Sequence, residues 1–135
     1  MKQLITTDVF KKDLVKQSLI INRISGTVTG EFRLFTIKEN GHIILYLPAI
    51  GISGYGDSVL DAKNMLNESV HDYFKNLLLA DEAVAMLDLQ RYGWTKSIYK
   101  TKHFQNDTYV DANGVLNNFQ LPEGTEIEES IAEMA

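Results

Sequence analysis

The chain has 135 residues, of which 44% are hydrophobic, and its 18 acidic and 13 basic side chains give a formal net charge of −5 at pH 7. This length corresponds to one domain with a core, and the absence of cysteine excludes disulfide frameworks, thiolate metal sites and cysteine nucleophiles. No apolar run reaches the ~20 residues of a membrane-spanning helix and no signal peptide is recognisable, so we expect a soluble cytoplasmic protein without membrane contacts.

The acidic residues are concentrated near the C-terminal end. Residues 121–135 contain no lysine or arginine and five glutamates, namely Glu123, Glu126, Glu128, Glu129 and Glu133. The rest of the chain is electrically neutral, which provides little of the counterion release that drives nucleic-acid binding and argues against DNA binding by this chain. Composition therefore predicts a single domain at residues 1–120 and an acidic, flexible tail at 121–135.

The first elements in chain order are mainly predicted strands. Residues 9–15 form either a helical turn or an irregular arm, and the β-branched residues of 18–29 predict a strand that is interrupted at Gly26. Apolar residues alternate with others along residues 31–37, which predicts a strand with two distinct faces. One face carries Phe32, Leu34 and Thr36, and the other carries Arg33, Phe35 and Ile37.

An Asn-Gly pair marks the clearest predicted turn. Asn40 and Gly41 both tolerate positive φ, so they predict a tight hairpin that leads into a returning strand at residues 42–47. Pro48 ends this strand because proline lacks the backbone N–H that a sheet requires. Residues 50–55 are then either a short third strand or a loop.

The strongest periodicity in the chain predicts an amphipathic helix from Ser58 to about Leu79. Its apolar residues recur at helical spacing, namely Val59, Ala62, Leu66, Val70, Tyr73 and Leu77. Asp81 is a suitable N-cap for a second, shorter helix that ends at Gly93. Together with the strands, these helices predict an α+β fold.

The segment after the second helix contains the single tryptophan and a run of lysines. Trp94 fits a core residue at the helix end, with a partner-binding anchor as the alternative. Residues 94–104 predict a polar strand whose lysines either protect a sheet edge or offer that edge to a partner. A basic strip with Tyr99 and Phe104 for stacking on single-stranded nucleic acid is a third interpretation. Further along, a hairpin is predicted at Asn113-Gly114.

The stretch GYGDSVLDAKNML places glycines directly before the long helix. A phosphate-binding loop usually carries a lysine, whereas this stretch has neither the dinucleotide nor the Walker glycine spacing, and Asp57 adds a negative charge. A helix cap explains the segment better, because Ser58 can accept from the N–H of Asp61 and Asp61 can bond back. Gly54 and Gly56 then allow a sharp turn from the sheet into the helix. We therefore assign Gly56, Asp57, Ser58 and Asp61 to a cap and not to a cofactor site.

Residues 32–74 combine two strands joined by a tight turn, a proline-marked third segment, and Gly-Asp-Ser-x-x-x-Ala at the start of an amphipathic helix. The positions that carry this pattern are Tyr46, Pro48, Gly56, Asp57, Ser58 and Ala62. In these residues the chain resembles the HicB-type antitoxin domain. It departs from the family where residues 48–53, PAIGIS, replace a Pro-Asp-Leu-Pro-Gly-Cys-like segment.

The resemblance implies a partly degenerate ribonuclease-H-like sheet with one helix packed on it. It also implies an inhibitor that covers a small, basic, RNA-cleaving toxin, as in a toxin–antitoxin system. Members of the family often carry a C-terminal DNA-binding part, whereas the C-terminal residues of this chain are acidic. The resemblance therefore implies protein binding and not DNA binding.

The histidines and carboxylates give little support for catalysis. His42, His71 and His103 are far apart in the sequence, and none has a second ligand at helical spacing on an apolar face. Ribonuclease-H chemistry needs clustered carboxylates that hold magnesium, and the predicted sheet offers only Glu31 and Glu39 at strand ends. We therefore expect no catalytic residue, no metal and no cofactor.

The whole sequence predicts an α+β domain with an antiparallel sheet of three or four strands, one long helix across a face and a shorter second helix. The expected function is non-catalytic protein binding, which the resemblance specifies as a HicB-like antitoxin with a small basic toxin as partner. An exposed sheet edge is also compatible with a homodimer. The alternative is a small hydrolase or ligand-binding protein with a pocket between sheet and helix. The predicted partner-binding residues are Trp94, Lys96, Ile98, Tyr99 and Lys100.

Overall fold

The computed structural model describes residues 4–8, 17–98, 100, 102–108, 112–122 and 124–134, so the predicted turn or arm at 9–15 lies outside it. The described elements are, in chain order, β1 (Leu4–Asp8), β2 (Gln17–Asn22), β3 (Thr27–Glu39), β4 (His42–Leu47), β5 (Ile52–Gly56), α1 (Val59–Leu79), α2 (Glu82–Arg91), β6 (Thr95–Lys96), β7 (His103–Asn106), α3 (Ala112–Asn118) and β8 (Glu126–Met134). The α+β class and the antiparallel sheet are confirmed. Within the described residues, no helix is long and apolar enough to cross a membrane.

The sheet has eight strands among the described residues, so the prediction of three or four was wrong. One edge of β3 pairs with β8 along residues 30–38, which places β8 between β3 and β1. The other edge pairs with β2 and then with β4, so the sheet divides into a β2–β7–β6 branch and a β4–β5 branch. Gln17 lies where the branches separate, and its Oε1 accepts a 3.0 Å hydrogen bond from the Arg33 N–H.

Two hairpins flank β3, and their turns follow from positive-φ residues. Asn40 and Gly41 have φ of 48° and 79°, which confirms the predicted tight turn between β3 and β4. The predicted interrupted strand at 18–29 is in fact β2 and the beginning of β3, joined by a turn in which Gly26 has φ of 69°. Residues 50–55, which the sequence left open, contain most of the third strand β5.

One face of the sheet packs against α1 and α2 and holds the main hydrophobic core. Phe32 and Leu34 are buried on this face, and the Phe32 ring centroid lies 6.3 Å from that of Phe74 and 6.0 Å from that of Trp94. The helix α1 has the predicted extent, and its buried side chains are Ala62, Leu66, Val70, Phe74 and Leu77. Burial of this stripe supplies the helix with the tertiary stabilisation that its propensity alone does not.

The opposite face of the sheet has a smaller cluster. Phe35 and Ile37 are buried there against Val115 of α3. Arg33 is only 3% exposed on this face, where its Nε lies 2.6 Å from Glu129 Oε1 and its guanidinium lies 5.2 Å from the Phe35 ring centroid. The predicted hairpin at Asn113-Gly114 was wrong, because packing of α3 on the sheet overrides the turn preference of these residues.

The C-terminal residues are part of the sheet. Residues 126–134 form β8, in which Ala132 and Met134 are buried in the main core. The predicted flexible tail at 121–135, and the domain end at residue 120, were therefore wrong. Arg33 and Lys38 of β3 form ion pairs with three of the glutamates of β8, namely Glu126, Glu128 and Glu129.

Candidate binding surface

The glycine-rich segment before α1 is a packing site for that helix. Gly54 and Gly56 lie inside β5, and a Cβ on Gly54 would come within 2.6 Å of the Ala62 carbonyl oxygen. A Cβ on Gly56 would lie 2.5 Å from the Cβ of Asp61. The predicted sharp turn at these glycines was wrong, because they are strand residues over which the backbone of α1 passes closely.

The start of α1 is capped by its own side chains. Ser58 is the N-cap, and its Oγ accepts a 3.1 Å hydrogen bond from the Asp61 N–H. Asp57 precedes the cap, and its Oδ1 lies 2.9 Å from His42 Nδ1 in a pair whose side chains are both mostly exposed. A carboxylate here stabilises the positive end of the helix and would repel a phosphate.

The titratable side chains of the described residues include a half-buried tyrosine whose pKa is raised and no candidate metal cluster. No group of three or more histidine, aspartate or glutamate side chains in this part of the chain is placed to hold a metal ion. Tyr73 donates a 2.6 Å hydrogen bond to Asp88, and burial together with this bond raises the pKa of the Tyr73 phenol. The phenol therefore stays protonated and joins α1 to α2.

A cleft opens between α2 and the β2–β7–β6 branch of the sheet, with a volume of about 200 Å³. The residues that form its apolar floor are Ile21, Ala85, Met86, Leu89 and Phe104. Its rim carries three cations and one carboxylate next to an isoleucine, namely Arg23, Lys96, Lys102, Glu82 and Ile24. An apolar floor with a mainly basic rim is suited to binding a group that is apolar and carries negative charge nearby.

Hydrogen bonds fix the elements around the cleft. Arg23 Nη1 donates to the carbonyl oxygens of Leu78 at 3.3 Å and Ala80 at 3.4 Å. Because the last turn of α1 has no basic residue, Arg23 supplies the positive charge that its C-terminal end favours. The Ile21 N–H donates to the Lys102 carbonyl oxygen at 2.9 Å, so the connection between β6 and β7 is tied to β2.

Large exposed apolar side chains lie on the elements around this cleft. We define the cleft surface as the cleft together with Ile24, which lines its rim, and Ile98, two residues beyond Lys96; these two side chains are 93% and 89% exposed. Leu79 is exposed at the end of α1. Val84 and Leu87 of α2 are also exposed, but they lie about 100° or more around the helix from the residues that line the cleft, so they face away from it. Large apolar side chains exposed beside an apolar cleft are typical of an interaction surface. The other large exposed apolar side chains of the described residues, Tyr55, Val59 and Leu60, lie where β5 meets α1.

The predicted partner-binding residues lie in different environments in the structure. Trp94 is buried, its ring packs edge-on against Phe32, and its Nε1 donates a 2.7 Å hydrogen bond to the Ala49 carbonyl oxygen, so it is a core residue that no partner can reach. Lys96 and Ile98 belong to the cleft surface. Lys100 is exposed between β6 and β7, and Tyr99 lies outside the described residues.

The lysine-rich segment is not one strand. β6 contains only Thr95 and Lys96, and β7 begins at His103. Between them the Ser97 N–H donates to the His103 carbonyl oxygen at 2.9 Å, and the Lys100 N–H donates to Ser97 Oγ at 3.2 Å. The predicted strand at 94–104 was wrong because these local hydrogen bonds close a turn.

Two carboxylates meet on another part of the sheet. Glu31 of β3 and Glu133 of β8 are direct partners in the antiparallel ladder. Desolvation, followed by the hydrogen bond and repulsion from Glu133, raises the pKa of Glu31 above its ordinary value of 4.5. The sequence prediction missed this pair because Glu133 was assigned to a tail, and only the pairing of β8 with β3 places it opposite Glu31.

Comparison of the chain with protein-family models, with curated proteins and with solved structures found no match. The resemblance of residues 32–74 to HicB-type antitoxins therefore remains a prediction. In the fold, these residues form most of β3, then β4, β5 and most of α1, which is the order of elements on which the resemblance depends.

Proposed function

We propose that this chain is a non-catalytic protein-binding domain that contacts its partner through the cleft surface. The observation that carries the proposal is an apolar cleft whose margin exposes two large apolar side chains, Ile24 and Ile98, on a domain with a well-filled core. Exposed apolar area is unfavourable in water, and a partner that covers it gains the corresponding free energy.

The resemblance of residues 32–74 specifies the partner as a small, basic, RNA-cleaving toxin that this chain covers as an antitoxin. The strand–strand–strand–helix order of β3, β4, β5 and α1 supports this proposal. The facing carboxylates of Glu31 and Glu133 also support a basic partner, because a lysine or arginine placed between them would relieve their repulsion.

Small-molecule binding is the second candidate, because the cleft lies between the sheet and a helix. Its volume of about 200 Å³ is below the ~300–1,000 Å³ that is usual for small-molecule sites. The exposed apolar side chains also extend beyond the cleft, where a small ligand would leave them uncovered. Both observations favour a protein partner.

Co-expression with the products of the adjacent genes tests this function. The tagged chain is purified, and any protein that co-purifies is identified and assayed for RNA cleavage alone and in the complex. We expect a small basic protein whose RNA cleavage is suppressed in the complex. Recovery of this chain alone, or a partner that cleaves RNA equally well in the complex, would contradict the antitoxin role.

A matched pair of variants tests the location of the interface. Ile24 at the rim of the cleft and Leu60 at the start of α1 are 93% and 67% exposed, so Ile24→Glu and Leu60→Glu each place one negative charge on an exposed apolar position. We expect Ile24→Glu to weaken the complex by about tenfold or more and Leu60→Glu to leave it unchanged. Equal effects of the two substitutions would show that the partner does not use the cleft surface.

A further inference from the structure

We propose that the cleft accepts one apolar side chain from a partner segment in which acidic residues flank that side chain. The inference rests on the proposed protein-binding function and specifies the chemistry of the bound segment, which is locally acidic within a partner whose overall charge is basic. It is carried by the volume of the cleft, the contrast between its floor and its rim, and the position of the exposed apolar residues around it.

The volume and the floor define the anchor. A volume of about 200 Å³ corresponds to only about seven water molecules at ~30 Å³ each, which is room for one large side chain. Ala85 and Leu89 are buried at the floor and present only apolar atoms. Met86 lies beside them and is half-buried, and its flexible thioether can adjust to anchors of different shape.

The rim defines the charge of the flanking residues. Three cations and one carboxylate give the rim a positive balance, although the chain as a whole has a net charge of −5. Arg23 is already engaged with the carbonyl oxygens at the end of α1, and Lys96 Nζ lies 4.0 Å from Glu82 Oε1, at the limit of an ion pair. Lys96 and Lys102 at the exposed rim can therefore reach carboxylates of a bound segment. Charge at an exposed rim contributes mainly to the choice of partner.

The surroundings of the cleft require an occupant larger than the cleft. Ile24 lines the rim and is 93% exposed, and Ile98 follows β6 and is 89% exposed. A free carboxylic acid or a small anion that fills the cleft would leave both side chains in water. A peptide segment that places its anchor in the cleft can cover them with its neighbouring residues.

The test is a titration of the isotopically labelled full chain with three short peptides, followed by the backbone amide resonances. The first peptide has a leucine flanked on both sides by glutamates, the second has the same leucine flanked by lysines, and the third has alanine between glutamates. We expect the first to shift the amides of Ala85, Met86 and Leu89 with millimolar affinity, the third to bind about tenfold more weakly, and the second not to shift them.

Charge reversal at the rim provides the matching variants. In Lys96→Glu/Lys102→Glu the preference between the glutamate-flanked and lysine-flanked leucine peptides should invert, whereas Lys63→Glu near the start of α1 should leave it unchanged. The same spectra report whether each variant is folded, and Lys102→Gln is the milder change if the reversal unfolds the domain. A single neutralisation should weaken the glutamate-flanked peptide without inverting the preference.

Several results would overturn the inference. These are the absence of cleft shifts with the glutamate-flanked leucine peptide at millimolar concentration, equal shifts with the lysine-flanked peptide, and an equal loss of preference in Lys63→Glu. The titration contains no toxin, so its failure is distinguishable from the failure of the antitoxin role. A negative co-expression result with positive peptide shifts would refute the antitoxin role and leave the cleft chemistry intact.

Discussion

The two faces of β3 bury similar side chains in different ways. On one face, Phe32 and Leu34 belong to a cluster of nineteen buried residues that includes α1 and α2. On the other face, Phe35 and Ile37 share a cluster with one further buried residue, Val115, and the neighbouring position holds an ion pair with β8. The comparison indicates that the face packed against α1 and α2 provides most of the stability of the domain, whereas the face packed against α3 depends more on polar contacts.

The largest expected effect compares the two phenylalanines of this strand, Phe32 and Phe35, which are 0% and 1% exposed. Phe32→Ala should lower the free energy of unfolding by about 5 kcal/mol and Phe35→Ala by about 3 kcal/mol. The difference arises because the large cluster under α1 and α2 is rigid and cannot collapse into the cavity that the lost ring leaves. The smaller cluster under α3 can relax into it. Urea unfolding of both variants measures it, and an equal or reversed order would contradict the comparison.

Disruption of the close contact between α1 and β5 has the next largest expected effect on stability. Gly54→Ala should cost about 3 kcal/mol, because the new methyl group meets backbone atoms of Ala62 and Leu66 at 2.6 Å. Gly26→Ala is the control, since Gly26 has positive φ but no atom within 4 Å of an added Cβ, and its cost should be about 1 kcal/mol. Similar unfolding free energies of the two variants would show that the contact is not tight.

The ion pair on the other face should have an intermediate effect. Glu129→Gln should cost about 2 kcal/mol, because the buried guanidinium of Arg33 then faces a neutral amide in place of a carboxylate. The double variant Arg33→Met/Glu129→Leu should lie within about 1 kcal/mol of the unchanged chain, since apolar residues often replace a buried ion pair without loss. A double variant less stable than Glu129→Gln would indicate that the ion pair itself stabilises the fold.

The smallest effect is expected at Glu31, and it has the opposite sign. Its pKa is raised in the folded state, so the folded chain binds the proton more tightly than the unfolded chain does. Stability from this group is therefore complete below the ordinary pKa of 4.5 and falls as the pH rises through the higher folded value. Glu31→Gln should stabilise the domain at neutral pH and flatten this part of the pH profile.

Unfolding at a series of pH values measures that profile. Glu133→Gln removes the same repulsion from the partner strand and should also raise stability at neutral pH. A loss of stability in both variants would mean that the two carboxylates do not oppose each other in the folded chain.

Structural features that are set by residues close together in the sequence could be predicted. Features that are set by residues far apart in the sequence could not. The periodicity of α1 and the Asn40-Gly41 turn are local, and the sequence located both. The strand β8 was missed because its glutamates resemble a solvated tail until Arg33 and Lys38 are known to lie opposite them. Its apolar residues do not alternate regularly, since Ile127 and Ile131 lie on one face of the strand and Ala132 and Met134 on the other, so no clear strand pattern opposed the acidic composition.

The candidate site was predicted only in part for the same reason. The lysine-rich segment was recognised as a surface, which located Lys96 and Ile98. Trp94 fits either a core or an anchor by composition, and only the position of Ala49 and Phe32 around it decides for the core. The exposure of Ile24 depends on what the tertiary fold leaves uncovered, which no local pattern records.

The position of β8 between β1 and β3 has a consequence for the kinetics of folding. The ion pair between Arg33 and Glu129 joins residues 96 positions apart, so the pairing of β3 with β8 must close a long loop before it gains any contact. During synthesis at ~5–20 residues per second, one edge of β3 waits roughly 5–20 s for residues 126–134. The nascent chain thus carries an open strand edge, which makes it a substrate for chaperones and for aggregation until the last strand arrives.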